Sequence, residues 1–299
     1  MRVRQPGKIK DCLWFLGSKE SCLYLLEGRT DSIIISGGMS YIVPDLLRQL
    51  EEFGIDKTRI TKLLILHSHF DHVGTIPFLK RMNRNLTLYG SARAFEILQM
   101  PKAIKTINEF NRNAARRNGK EDAYASLDLE WRDLFEGTAV SEGDFIDLGD
   151  LKGYIYETPG HSSCSISFYV PQLKALFGSD SVGIPYKDTI ISSGNSDFTK
   201  YQESLAKLKD LDLEYVCADH YGYIFKDEAK GYIQKCIDSA RSYRTLMENT
   251  YKRAVDIENA AKEITGDFYR LNVDYFLDPE IMEGVCRQMV RHIAGSMGD

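Results

Sequence analysis

The chain has 299 residues, with 38 Lys and Arg against 43 Asp and Glu for a formal net charge of −5. With 43% hydrophobic and 27% charged residues it matches an ordinary globular protein, which excludes a disordered, collagen-like or disulfide-scaffold chain. The densest basic cluster is only Arg112 to Arg117, so the counterion-driven surface of a nucleic-acid binder is not expected.

Short apolar runs punctuated by turn residues open the chain. Cys12 to Leu16, Ser21 to Leu26 and Ser32 to Ile35, closed by Gly37 and Gly38, predict strands of a meander. Leu46, Leu47, Leu50 and Phe53 carry the spacing of an amphipathic helix over Pro44 to Phe53, and the apolar run Ile60 to Leu66 predicts a strand buried on both faces. A helix is expected from Thr75 to just before Asn83, then a strand at Leu86 to Tyr89.

Ser91 to Glu136 reads as a helical insertion, with Phe95, Leu98, Ile104, Ile107 and Phe110 at helical spacing. Strands resume at Phe145 to Leu148, Leu151 to Glu157, Ser165 to Val170, Ala175 to Phe177 and Tyr215 to Cys217. The tail from Asp227 to Met297 is helical, with expected breaks at Gly266 and Pro279. No stretch approaches about 18 consecutive apolar residues and no signal-like segment opens the chain, so neither membrane spanning nor secretion is expected. Six scattered cysteines without CxxC spacing point to buried thiols and a cytoplasmic protein.

Three of the six histidines, His67, His69 and His72, fall in one six-residue window with Asp71. The window follows the buried strand, where a sheet delivers side chains to a crevice. In extended backbone His67, His69 and Asp71 point one way, and a turn at Gly74 brings His72 around, which suggests two metal subsites. Packing these polar groups together without a cation leaves them competing for few partners, and imidazole with carboxylate suits zinc, iron or manganese.

The run His67-Ser68-His69-Phe70-Asp71-His72 resembles the signature of the metallo-β-lactamase superfamily. Three later segments resemble its remaining motifs: Thr158-Pro159-Gly160-His161-Ser162, Phe177-Gly178-Ser179-Asp180, and Cys217-Ala218-Asp219-His220-Tyr221-Gly222. The resemblance implies an α/β (α+β) fold, a four-layer αβ/βα sandwich, with a catalytic core over 1–225, the helical insertion at 91–136, and a helical extension over 226–299 capping the active site. It implies that His67, His69 and His161 hold one divalent metal, that Asp71, His72 and His220 hold the other, and that Asp180 bridges them. The metals are expected to be zinc or iron, with manganese as a third option.

The implied nucleophile is a metal-bridging hydroxide, which Asp71 also orients. Tyr221 and Tyr223 are candidate catalytic residues for binding a carbonyl oxygen. Departures from the family pattern are Ile35-Ser36-Gly37-Gly38, where many members carry Asp, and Cys164 in place of a frequent Gly.

The expected function is metal-dependent hydrolysis of a small-molecule thioester or ester, resembling glyoxalase II-like enzymes. A closer resemblance, to the superfamily's quinolone-signal thioesterase branch, rests on overall length, Gly37-Gly38, the segment from Leu64 to Leu79, the insertion and the helical tail. It implies that Gln99 to Phe110 and Phe268 to Met289 roof an apolar pocket.

The alternatives are a phosphodiesterase, for which Lys187 is the nearest phosphate-gripping candidate, a lactonase, and a regulatory protein with a residual metal site. Neither a nucleic-acid nor a membrane partner is expected, and the helical tail leaves a homodimer open. His292 reads as a surface residue and the cysteines as structural.

Overall fold

The polar first ten residues form two short strands, β1 (Arg2–Val3) and β2 (Gly7–Lys10), which apolar patterning could not reveal. The predicted meander follows as β3 (Leu13–Gly17), β4 (Cys22–Glu27) and β5 (Ser32–Ile35), and the amphipathic helix as α1 (Val43–Glu52). Next come β6 (Ile60–Leu64), the single helical turn α2 (Phe70–Val73), α3 (Ile76–Met82) and β7 (Thr87–Gly90). The insertion contains α4 (Ala92–Ile97), α5 (Pro101–Arg117) and α6 (Glu121–Ser126), and β8 (Gly137–Ala139) lies beyond it.

The second half comprises β9 (Phe145–Asp147), β10 (Lys152–Glu157), β11 (Ile166–Val170), β12 (Ala175–Phe177), β13 (Ile184–Tyr186) and β14 (Thr189–Ile191). It continues through α7 (Phe198–Leu208), β15 (Tyr215–Cys217), β16 (Tyr223–Phe225) and α8 (Asp227–Lys230). The tail is α9 (Tyr232–Ala254), α10 (Ile257–Leu271) and α11 (Pro279–Ser296).

These elements belong to a computed structural model that describes residues 2–132 and 135–297. It contains two compact units. The first is Met1–Glu157, Cys164–Ser179 and Asp212–Lys230; the second is Thr158–Ser163, Asp180–Leu211 and Gly231–Asp299.

The first unit holds two seven-stranded sheets, ordered β2-β3-β4-β5-β6-β7-β8 and β1-β16-β15-β12-β11-β10-β9. Alternation along the strands turns one face of each sheet to a shared core: Leu13, Phe15, Tyr24, Ile33 and Leu64 meet Ile155, Ile166, Phe168, Phe177 and Cys217. Each such side chain, wholly removed from water, contributes about 1.5–3 kcal/mol. The run expected to be strand through Leu66 leaves the ladder after Leu64. The Leu66 carbonyl instead accepts from the Ile166 N–H of the other sheet at 2.9 Å, which fixes where the histidine window emerges.

The insertion reaches back to that window. Asn111 on α5 is buried; its Oδ1 accepts from the Ser40 N–H at 2.8 Å and its Nδ2 donates to the Phe70 carbonyl at 2.8 Å. Trp131 Nε1 donates to the Val73 carbonyl at 3.2 Å. Two carbonyls of the turn α2, which its short length leaves without helical donors, are thereby satisfied. Asn111→Ala orphans the Ser40 and Phe70 backbone groups together, and a loss of about 2–4 kcal/mol is expected. Chemical denaturation of the purified variant measures it.

In the second unit β13 pairs with β14, and α10 packs against α9 and α11. The tail corrects one expectation: Gly266 lies inside α10 rather than at a break. It is exposed, and the roughly 1 kcal/mol that glycine costs a helix is outweighed by the neighbouring buried Ile264 and Thr265. The chain breaks instead at Val255, which caps α9 in the left-handed region at φ +56°, and over residues 272–278; Pro279 opens α11 as expected.

Candidate metal centre

The first unit gathers five of the predicted metal ligands, His67, His69, Asp71, His72 and His220. His67 and His69 have ring centroids 4.7 Å apart, His67 and His72 4.0 Å, and His72 and His220 4.9 Å. Asp71 and His72 sit in the helical turn α2, so the extended alternation assumed for His67, His69 and Asp71 stops at His69, whose ψ of 155° is the last extended one. The turn places Asp71 beside His72 and His220 instead: Asp71 Oδ2 lies 3.6 Å from His72 Nε2 and 3.5 Å from His220 Nε2. One ligand atom from each of these three residues falls within 4.8 Å of the others, and all three residues are buried. In the second unit His161 Nε2 lies 3.4 Å from Asp180 Oδ2.

Hydrogen bonding fixes which nitrogen each ring presents. His72 Nδ1 donates to Asp219 Oδ2 at 2.8 Å, His220 Nδ1 to the Glu20 carbonyl at 2.6 Å, and His161 Nδ1 to the Ser193 carbonyl at 2.7 Å. Carbonyl and carboxylate oxygens accept, so each Nδ1–H points to them, and in the neutral imidazole Nε2 is the lone-pair nitrogen. The Nε2 atoms of His72 and His220 nevertheless stand 3.2 Å apart, with the Asp71 carboxylate beside both. Lone pairs crowded against a carboxylate repel one another unless a cation lies among them, and the donor set suits a divalent ion of the zinc kind.

Backbone packing supports this turn. Gly37 N–H donates to the His72 carbonyl at 2.7 Å, and a Cβ on Gly37 would fall 2.8 Å from that oxygen. Glycine is therefore required where β5 meets α2. Near His220, the Cys22 N–H donates to the Asp219 carbonyl at 2.8 Å and Tyr24 Oη to the Ala218 carbonyl at 2.7 Å. Burial raises the Tyr24 phenol well above its ordinary pKa, so it remains a donor across the neutral range.

The two tyrosines part company. Tyr221, buried and left-handed at φ +63°, follows His220 and donates its N–H to the Lys19 carbonyl. Tyr223 is corrected: its ring lies in the core between the sheets, edge-on to Phe15 at 6.5 Å and packed on Phe225 at 5.8 Å. Nearness to His220 along the chain does not carry over into space, because the left-handed Tyr221 and Gly222 reset the direction before β16 begins. Tyr223→Phe is expected to leave turnover unchanged in a steady-state assay.

Other polar candidates are engaged elsewhere. Lys187, the phosphate-gripping candidate, pairs with Asp274 at 2.9 Å and lies over the Tyr186 ring. Its cation is committed to the tail, which weakens the phosphodiesterase reading. His292 Nε2 meets Asp197 Oδ1 at 3.1 Å and ties α11 to the capped start of α7. Among the described residues none of the six cysteines forms a disulfide, and burial raises the thiols of Cys22, Cys217, Cys236 and Cys286, the last to about 11. Those four stay protonated and unreactive. Sequence reasoning missed Asp219 and Ser179 as partners of the histidines. The signal available was an acidic residue immediately before a predicted ligand and a hydroxyl immediately before another.

A model of the metallo-beta-lactamase superfamily matches residues 22–220, and the chain belongs to that superfamily. Its fold is the α/β sandwich of the class, carrying a helical insertion and C-terminal helices. A metallo-beta-lactamase family protein from Thermus thermophilus superposes with a TM-score of 0.69 at 13% identity, covering 97% of this chain and 95% of that one. An archaeal superfamily protein from Sulfolobus tokodaii does so with a TM-score of 0.57 at 20% identity, over 76% and 84%.

Among curated proteins, the chain is 28% identical over 183 residues to a hydroxyacylglutathione hydrolase of Bradyrhizobium sp. (strain ORS 278), which is 59% of this chain and 53% of that protein. It is 25% identical over 207 residues to the enzyme of that name from Francisella tularensis subsp. novicida (strain U112), 67% of this chain and 62% of that one. The chain thus spans between about half and three fifths of the length of these relatives. Among the described residues no helix is long and apolar enough to cross a membrane.

Proposed function

We propose that the protein is a dinuclear metal-dependent hydrolase that cleaves a thioester or ester of a small acyl group. The observation that carries the reading is the approach of His72 Nε2 and His220 Nε2 to 3.2 Å beside Asp71, with both Nδ1 hydrogens committed to other acceptors. In this proposal Asp71, His72 and His220 hold one divalent cation. By resemblance to the superfamily pattern, His67, His69 and His161 hold a second, and Asp180 serves both. Zinc or iron suits this nitrogen and oxygen donor set, and manganese is the third choice.

When bound, such cations polarise an acyl oxygen and lower the pKa of water from about 15.7 to about 7. The protein's own contribution is positional. Nδ1–H bonds hold the imidazoles in one tautomer, the clamped turn α2 fixes Asp71 and His72 in register, and Tyr221 is the candidate donor to the acyl oxygen. The thioester preference is supported by the hydroxyacylglutathione hydrolase relatives, and the role of the helical tail in acyl recognition rests on the resemblance alone.

The test combines elemental analysis of the purified protein with a panel of acylglutathione, acyl-CoA, lactone and phosphodiester substrates. Close to two divalent ions per chain and preferential thioester cleavage are expected. A metal-free protein, or one acting only on phosphodiesters, contradicts the proposal.

A further inference from the structure

We propose that Asp219 is a positioning residue for the metal centre and that Ser179 carries its hold to a second histidine; the inference rests on the metal reading above. Asp219 is 2% exposed, and its Oδ2 accepts both the His72 Nδ1–H at 2.8 Å and the Ser179 hydroxyl at 2.6 Å. With its proton given to Asp219, Ser179 Oγ is an acceptor, and it lies 3.3 Å from Nδ1 of His67 and of His72. One buried carboxylate therefore sets the tautomer and tilt of His72 directly and of His67 through one hydroxyl. In the proposed ligand assignment these two histidines belong to different metals, so the pair braces both halves of the centre.

Three features of the structure separate this from ordinary packing. Asp219 Oδ1 is buried with no hydrogen-bond partner among the described residues. A half-satisfied buried carboxylate is costly to a fold and is a poor choice for stability alone. Ser179 holds a left-handed backbone at φ +47°, a region where glycine or asparagine is cheaper and where serine gains only by its hydroxyl. Ser36, just beyond β5, is also left-handed, and its Oγ is buried with no hydrogen-bond partner among the described residues. The carboxylate that orients a ligand histidine is supplied here from the opposite sheet, at the end of β15.

Zinc titration of the chelated, metal-free full chain tests the inference, using Asp219→Asn and Ser179→Ala and competition with a chromophoric chelator. Asp219→Asn is expected to weaken both zinc-binding steps, by about 10–100-fold for the ion held by His72. Ser179→Ala is expected to weaken one step and leave the other at the wild-type value, a split that a packing defect does not produce. If both variants bind both ions as the wild type does, while the metal-free proteins unfold earlier, Asp219 and Ser179 are structural and the inference falls. Should Asp219→Asn yield no folded protein, the one-step loss in Ser179→Ala decides alone. Wild-type protein that takes up no zinc overturns the metal reading, and this inference with it.

Discussion

His72→Ala is expected to abolish thioester hydrolysis while leaving most of the fold in place. His72 is the hinge of the site: Nε2 faces Asp71 and His220, Nδ1 is tied to Asp219, and its carbonyl is held by Gly37. Alanine removes the ring and keeps the carbonyl, so the turn α2 retains its backbone anchor while the metal position loses a ligand. Without cation activation, water reverts from a pKa near 7 to about 15.7, a loss on the order of 10⁸ in available hydroxide at neutral pH. Turnover should fall below detection, and metal content should fall with it. The measurement is a steady-state thioester assay beside elemental analysis of the variant. Turnover within about tenfold of wild type would place the chemistry elsewhere, since a lost catalytic ligand costs more than the roughly 1.4 kcal/mol that tenfold represents.

Removing metal should cost stability as well as activity. A ligand that binds only the native state stabilises it by about 4 kcal/mol at a thousand times its dissociation constant. For a chain of this size each kilocalorie shifts the melting point by roughly 2–4 °C. The chelated protein is therefore expected to melt about 10 °C below the zinc-loaded form, and stoichiometric zinc should restore both the melting point and the activity. Coincident melting curves with and without chelator, on protein verified to contain metal, would mean that the buried imidazoles and Asp71 are satisfied without a cation.

How much of this was readable from the residues depended on whether the signal was local. The meander, the parallel strands and the insertion carried their own periodicity, and β5 and β12 begin and end where the apolar pattern places them. The histidine window was legible because four candidate ligand side chains fell within six positions. His161, Asp180 and His220 were reached only through resemblance, since isolated residues next to strand ends carry no chemical signal of their own.

Asp219, Ser179 and Asn111 were not legible as site residues. Each acts on a partner between 40 and 147 positions away along the chain, and such pairings exist only once both sheets and the insertion have folded. The same holds for Tyr223: its placement depended on two left-handed residues, Tyr221 and Gly222, which side-chain patterning does not encode. Gly266 was misread for the opposite reason, since a local rule about helix breakers was overruled by packing within the tail.

The most direct test is anomalous diffraction at the zinc edge from crystals grown with zinc. A peak about 2.0–2.1 Å from Nε2 of both His72 and His220, with an Asp71 oxygen completing the contact, is the predicted result. A map in which those two nitrogens remain hydrogen-bonded to protein or water, with no anomalous density between them, would contradict it.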